Sequence, residues 1–183
     1  MRTAFTCLPA TLALILSGAP ATAQAQSGDI TFNGAVTAVT CDVSFDGVIG
    51  TDATVTLPTV AAASLKAGQS GGRTPVVVRV SGSDAVCSSD RLSVALNTDR
   101  SANLLNGRLR NGVLGLGGGT NAVVGLRDAQ DAPIDLTGGA ILRPVASVGD
   151  VTEFTFFAEY FADGQDAIPG AFQAPMGYTL NYP

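Results

Sequence analysis

The sequence predicts an all-β domain, and three observations carry that prediction. Short β-branched or aromatic runs recur between turn-forming residues along the chain. Only Ala61 to Lys66 offers even one turn of helix. Two cysteines, Cys41 and Cys87, remain once an N-terminal leader is set aside, enough to staple such a domain.

The leader comes first. Met1 and Arg2 precede the apolar run Leu12 to Leu16, and Ala21-Thr22-Ala23 and Ala23-Gln24-Ala25 supply small-residue cleavage patterns. These features describe a secretory signal peptide over residues 1–23, cut after residue 23 or 25. The alternative, a membrane anchor, is opposed by the length of the apolar run, well short of the roughly 20 residues a span needs. Processing leaves about 158 residues, a size for one domain with a sizeable core.

Gly28 to Val36 alternates. Gly28, Ile30, Phe32, Gly34 and Val36 occupy one face, and Asp29, Thr31, Asn33 and Ala35 the other, as in a strand with one apolar side. The apolar parity then switches, so that Val39, Cys41, Val43 and Phe45 line up instead. A change of face within one extended stretch indicates two duties, a mobile arm followed by a core strand. Asp46-Gly47 and Gly50-Thr51-Asp52 supply turns. Thr54 to Leu57 is a short strand stopped by Pro58, and Gly68 to Gly72 reads as a flexible linker.

Pro75 to Val80 is strongly strand-like. Cys87 follows just beyond it, and an even pair of cysteines in an exported chain points to one Cys41–Cys87 bridge closing 46 residues. In the chain-entropy view such a bridge restricts the unfolded state by roughly 4 kcal/mol; the alternative is two free thiols available for chemistry. Leu92 to Leu96 is another strand, Asn97 to Gly112 a polar loop, and Leu114 to Gly119 a glycine-rich turn. That turn lacks the Gly-Lys-Ser/Thr ending and following helix of a phosphate-binding loop. Ala122 to Arg127 and Ile134 to Leu136 are strands. Phe154 to Ala162 is a long aromatic strand, and the chain closes on Gly177 to Pro183, where Tyr178, Leu180 and Tyr182 share a face. Six to eight such strands indicate a sandwich of immunoglobulin type.

Chemistry is scarce in this composition. Histidine is absent, which removes Ser-His-Asp and Cys-His catalysis and imidazole metal ligands together. Glu153 with Glu159, and Asp163 with Asp166, could serve a glycosidase or bind calcium; the better reading is solvated surface charge. Without the leader, nine basic residues face fifteen acidic ones, a net charge of −6 that disfavours nucleic acid. No enzyme activity, cofactor or metal is expected.

Four features taken together resemble the structural subunits of chaperone–usher pili, most of all the type 1 fimbrial major-subunit family. Ile30-Thr31-Phe32-Asn33-Gly34-Ala35-Val36, with Cys41 seven residues after Gly34, is similar to the family's donor-strand pattern. The two cysteines fall where the family's disulfide falls. Phe157-Ala158-Glu159-Tyr160-Phe161-Ala162 resembles its aromatic-Ala-x-Tyr-Phe-Ala strand, although Glu159 stands where many relatives carry a basic residue. Tyr182 is penultimate and Gly170 is fourteenth from the end, as in the family's C-terminal chaperone-recognition motif.

This resemblance implies an incomplete immunoglobulin-like sandwich, residues 37–183, that lacks its seventh strand. Residues 24–36 would be a donor-strand extension whose Gly28, Ile30, Phe32, Gly34 and Val36 complete the next subunit. Gly170, Tyr178, Leu180 and Tyr182 would belong to the strand that a periplasmic chaperone covers first. Assembly at an outer-membrane usher would yield a head-to-tail polymer of this and related pilins, an adhesive fimbrium on a Gram-negative cell reached through the periplasm. Minor, adaptor or tip-associated pilins are the alternative, and a secreted β-sandwich binding protein or enzyme a more distant one.

Overall fold

The computed structural model describes residues 41–50, 52–97, 100, 102–113 and 118–183. The leader and the alternating segment with Gly28, Ile30, Phe32, Gly34 and Val36 lie outside the described residues, as do Leu114 to Gly117.

Strands β1 (Asp42–Phe45) and β2 (Val48–Ile49) form a hairpin through Asp46 and Gly47, whose φ values of 47° and 87° suit a tight two-residue turn. After a 3₁₀ turn at Ala62–Ser64 comes β3 (Ser70–Ser81), then β4 (Ser93–Leu96), β5 (Leu104–Leu105), β6 (Arg108–Leu109), β7 (Val123–Asp128) and β8 (Pro133–Ile134). The remainder are β9 (Ala140–Leu142), β10 (Ala146–Val148), β11 (Val151–Phe161) and β12 (Tyr178–Asn181).

All ladders between these strands are antiparallel and build two sheets. The larger runs β2-β1-β3-β11-β7-β6-β5, with β10 added to β11 and β8 to β7; the smaller runs β12-β4-β9. Their inner faces make the core. Val76, Val78 and Val80 of β3, Phe154, Phe156 and Ala158 of β11, and Val124 and Leu126 of β7 pack against Val94, Leu96 and Leu142. The alternation in Val76 to Val80 and in Phe154 to Ala158 sends every second side chain to this interior. β4, paired on both edges in the middle of the smaller sheet, is buried along its whole length.

The Cys41–Cys87 disulfide is present and joins the start of β1 to a 3₁₀ turn, Ala85–Ser88, that follows β3. Gly82 packs directly on it; a Cβ there would stand 2.7 Å from Cys87 Sγ.

Four expectations need correction. Ser70 to Gly72 is not a flexible linker but the start of β3, paired with Tyr160 and Phe161. The ladder bulges there: Gly72 adopts φ 70°, and the side chains of Val60 and Tyr160 leave its α-carbon no room for a substituent. Asn97 to Gly112 contains the β5–β6 hairpin, turned by Asn106-Gly107 at φ 50° and 75°, a dipeptide signal that could have been read directly. Thr54 to Leu57 joins no ladder among the described residues. Glu159, expected as solvated charge, has a side chain only 9% exposed and receives a 2.7 Å hydrogen bond from Arg127 Nε.

Leu96→Ala, in the middle of this core, is expected to cost about 2–5 kcal/mol. Val48→Thr, on the exposed hairpin, is expected to stay within about 0.5 kcal/mol. Urea unfolding of the two variants beside the parent checks both.

Candidate functional site

Among the described residues, the two sheets do not close along one side. Between β1 and the 52–57 segment on one rim, and the C-terminal stretch 172–182 on the other, lies an apolar cleft of about 1080 Å³. Its floor is the core itself: Val76, Val78, Val94, Leu96, Val124, Leu126, Phe156 and Ala158 all line it.

Alternation explains the C-terminal rim. Phe172, Ala174, Met176, Tyr178, Leu180 and Tyr182 follow one another at a period of two, and every one of them lines the cleft. The expected face Tyr178, Leu180 and Tyr182 is therefore the C-terminal half of a longer apolar row. β12 pairs with β4 on one edge, through Tyr178↔Leu96 and Leu180↔Val94, and is the terminal strand of its sheet among the described residues. On the opposite rim, Thr54 to Leu57 lines the cleft without a ladder partner among the described residues.

Two aromatic pairs cross the cleft. Phe45 of β1 meets Tyr178 edge-on at 5.0 Å between ring centroids, and Tyr160 of β11 meets Phe172 at 5.9 Å. They also orient the cleft. Cys41 and Val43 lie beyond the Phe45–Tyr178 contact toward the disulfide, whereas Tyr160 and Phe172 mark the opposite end. Burial in this apolar setting pushes the Tyr178 phenol above its ordinary value, and the charge of Asp52 adds to the shift. Asp52 is the single charged residue lining the cleft among the described residues.

Gly170 is elsewhere. It lines a smaller cavity of about 320 Å³ beside Leu65 and Ile168, and its α-carbon lies against the backbone of Gly119 and Thr120 so closely that a Cβ would fall among those atoms. Here the chain crosses over residues 118–120, bonded Ala171 N–H to Gly118 O at 2.8 Å and Thr120 N–H to Ala171 O at 3.1 Å. Glycine at this crossing lets two backbones touch. Leu109, the groove-lining residue of β6, was missed in the sequence, and the Asn106-Gly107 turn signal would have found it.

On the outer face of the larger sheet, Glu159 is matched by Arg127 and Glu153 by Arg79, with Arg79 Nε 3.0 Å from Glu153 Oε2. The hydrogen bond and charge of Glu159 hold the Arg127 guanidinium above its ordinary value. The acidic residue in the aromatic strand is thus accommodated by a basic partner on β7.

Comparison with known proteins places these features in context. A family model described as fimbrial protein matches residues 30–183. The chain is 31% identical over 176 residues to a major fimbrial subunit, SMF-1, of Stenotrophomonas maltophilia strain K279a, covering 92% of this chain and 99% of that one. Among solved structures, a chaperone–usher pilus subunit from a study of rod uncoiling superposes with a TM-score of 0.55 at 20% identity, over 90% of this chain and 100% of the other. The P pilus rod subunit PapA gives 0.54 at 16% identity, over 86% and 100%.

Gly170→Ala is expected to separate the crossing strands and sharply lower the yield of folded subunit, measured by circular dichroism after refolding. A second expectation concerns pH. Because Tyr178 holds its proton more tightly folded than unfolded, the stability this provides is whole below about pH 10 and is lost as pH rises through the folded value. Tyr178→Phe should flatten the alkaline fall in urea midpoint relative to the parent.

Proposed function

We propose, from the premise that this chain belongs to the fimbrial protein family, that it is a structural pilus subunit assembled by exchange of one extended strand between copies. Residues 1–23 serve as the export signal, residues 24–36 as the donated arm, and residues 37–183 as the receiving domain. Gly28, Ile30, Phe32, Gly34 and Val36 of one copy enter the cleft of the next, between the 52–57 rim and the row that ends in Tyr178, Leu180 and Tyr182.

One observation carries this reading: among the described residues the hydrophobic core is continuous with a cleft bordered on one side by the row that ends in strand β12. A pocket for a small molecule would need polar groups converging to orient it, whereas the floor of this cleft is built from valine, leucine, phenylalanine and alanine side chains and Asp52 is the cleft's single charged residue among the described residues. A strand suits this cleft, because its backbone can add alongside β12, the terminal strand of its sheet among the described residues, and its alternate side chains fill the apolar floor. Burying Ile30, Phe32 and Val36 contributes about 5–9 kcal/mol before those backbone bonds are counted. Losing the strand would re-expose the core, so the joint is long-lived.

A head-to-tail contact of this kind does not close on itself and produces a filament. Until the next copy arrives, the cleft is an aggregation hazard. A periplasmic chaperone covering the β12 edge, followed by transfer at an outer-membrane usher, removes that hazard. The product is a surface fimbrium with a role in adhesion, and the subunit itself works as a building element without catalysis.

Deleting residues 24–34 is expected to abolish surface fibres in electron micrographs while leaving the cleft able to bind a synthetic peptide of residues 26–36. Undiminished fibres would contradict the donor assignment. Gly34→Leu should block insertion although it adds apolar surface, because the backbone must approach the cleft closely there. Fibre length in the same micrographs reports it.

A further inference from the structure

We propose that Asn111 is a positioning residue for strand capture: its side-chain amide fixes the half of the cleft wall that has no ladder of its own. The inference rests on the reading of the cleft as a strand acceptor, and it concerns how one end of that acceptor is held in shape.

The wall has two unequal halves. From Tyr178 to Asn181 it is supported by the ladder to β4. From Phe172 to Gly177 there is no ladder among the described residues, yet Phe172, Ala174 and Met176 line the cleft and pack against the core as the strand's own side chains do. At its far end this half is tied by Asn97 N–H donating to Gly177 O at 2.7 Å. Between Gln173 and Gly177 it makes no backbone hydrogen bond to another segment among the described residues.

Asn111 supplies the other anchor. Its Nδ2 donates to Ala171 O at 2.8 Å and to Thr120 O at 2.9 Å; its Oδ1 accepts from Gln173 N–H at 3.1 Å and from Val113 N–H at 3.0 Å. The next residue adds Gly112 N–H to Gln173 O at 2.8 Å. One amide thus uses both donors and both acceptor positions to join three chain segments, 111–113, 120 and 171–173. Its bonds fall on the two residues that flank Phe172, so they set where that ring meets Tyr160 at the end of the cleft. An amide satisfied on all four sides is costly to replace, because truncation leaves several partners unmatched together.

The test uses the full chain and its Asn111→Ala variant, with Asn111→Asp as a milder variant should alanine prevent folding. Hydrogen exchange followed by mass spectrometry is expected to show faster exchange over residues 171–177 in the variant, with β3 and β11 unchanged; unchanged exchange over 171–177 overturns the proposal whether or not any peptide binds. Capture of a labelled peptide of residues 26–36 then separates positioning from general weakening. The rate is expected to fall by roughly tenfold. In addition, the sensitivity to Val36→Ala or to Ile30→Ala in the peptide, whichever end lies beside Phe172, should disappear while the other persists. Equal loss of sensitivity at both ends overturns the proposal. Failure of the parent chain to capture the peptide contradicts the strand-acceptor reading instead, and the exchange result still decides the role of Asn111.

Discussion

Everything in this molecule depends on a sandwich core that is left unsealed along one side. The buried valines, leucines and phenylalanines of β3, β4, β7 and β11 continue without interruption into the floor of the cleft, so the surface a partner would meet is the core itself. Apolar area of this extent is unfavourable in water in proportion to its size. On the proposed reading, that standing cost makes association the route by which the fold completes itself, rather than an activity added to a finished domain.

Keeping such a cleft open requires the rims to be held from outside it. The disulfide fixes the root of β1 at one end, and the buried Asn97, bonded to Leu136 O and to Ala102 N–H, ties the end of β4 to neighbouring loops. At the other end, the backbone crossing at Gly170 and the four bonds of Asn111 hold the start of the C-terminal rim. These devices are polar or covalent and sit around the cleft, whereas its floor is apolar. Shape is therefore set largely by groups that lie outside the apolar floor.

Much of this was legible in the sequence where side-chain period and backbone demand agree. Pro75 to Val80 and Phe154 to Ala162 are rich enough in β-branched and aromatic residues to read as strands, and the two cysteines pair as expected; their inward faces were less plain, because Val77 and Phe157 interrupt the alternation. Tyr178, Leu180 and Tyr182 were found as one face, but Phe172, Ala174 and Met176 were hidden by the prolines and glycines of a stretch that reads as loop. Thr54 to Leu57 has the composition of a strand, yet whether such a run enters a ladder depends on a neighbour that its own residues do not specify. The Glu159–Arg127 pair was invisible because its members are 32 residues apart and meet only through the register of β11 on β7. Gly170 was noticed for its distance from the chain end; the reason for glycine, a backbone crossing, is a tertiary fact.

The central claim is that an outside strand finishes the core, and an electron cryo-microscopy map of assembled fibres tests it most directly. The expected map holds an extended segment lying between residues 52–57 and β12, continuous with the neighbouring subunit and carrying side-chain density for Ile30 and Phe32. A cleft sealed by the subunit's own chain, with neighbouring copies joined through some other surface, would contradict it.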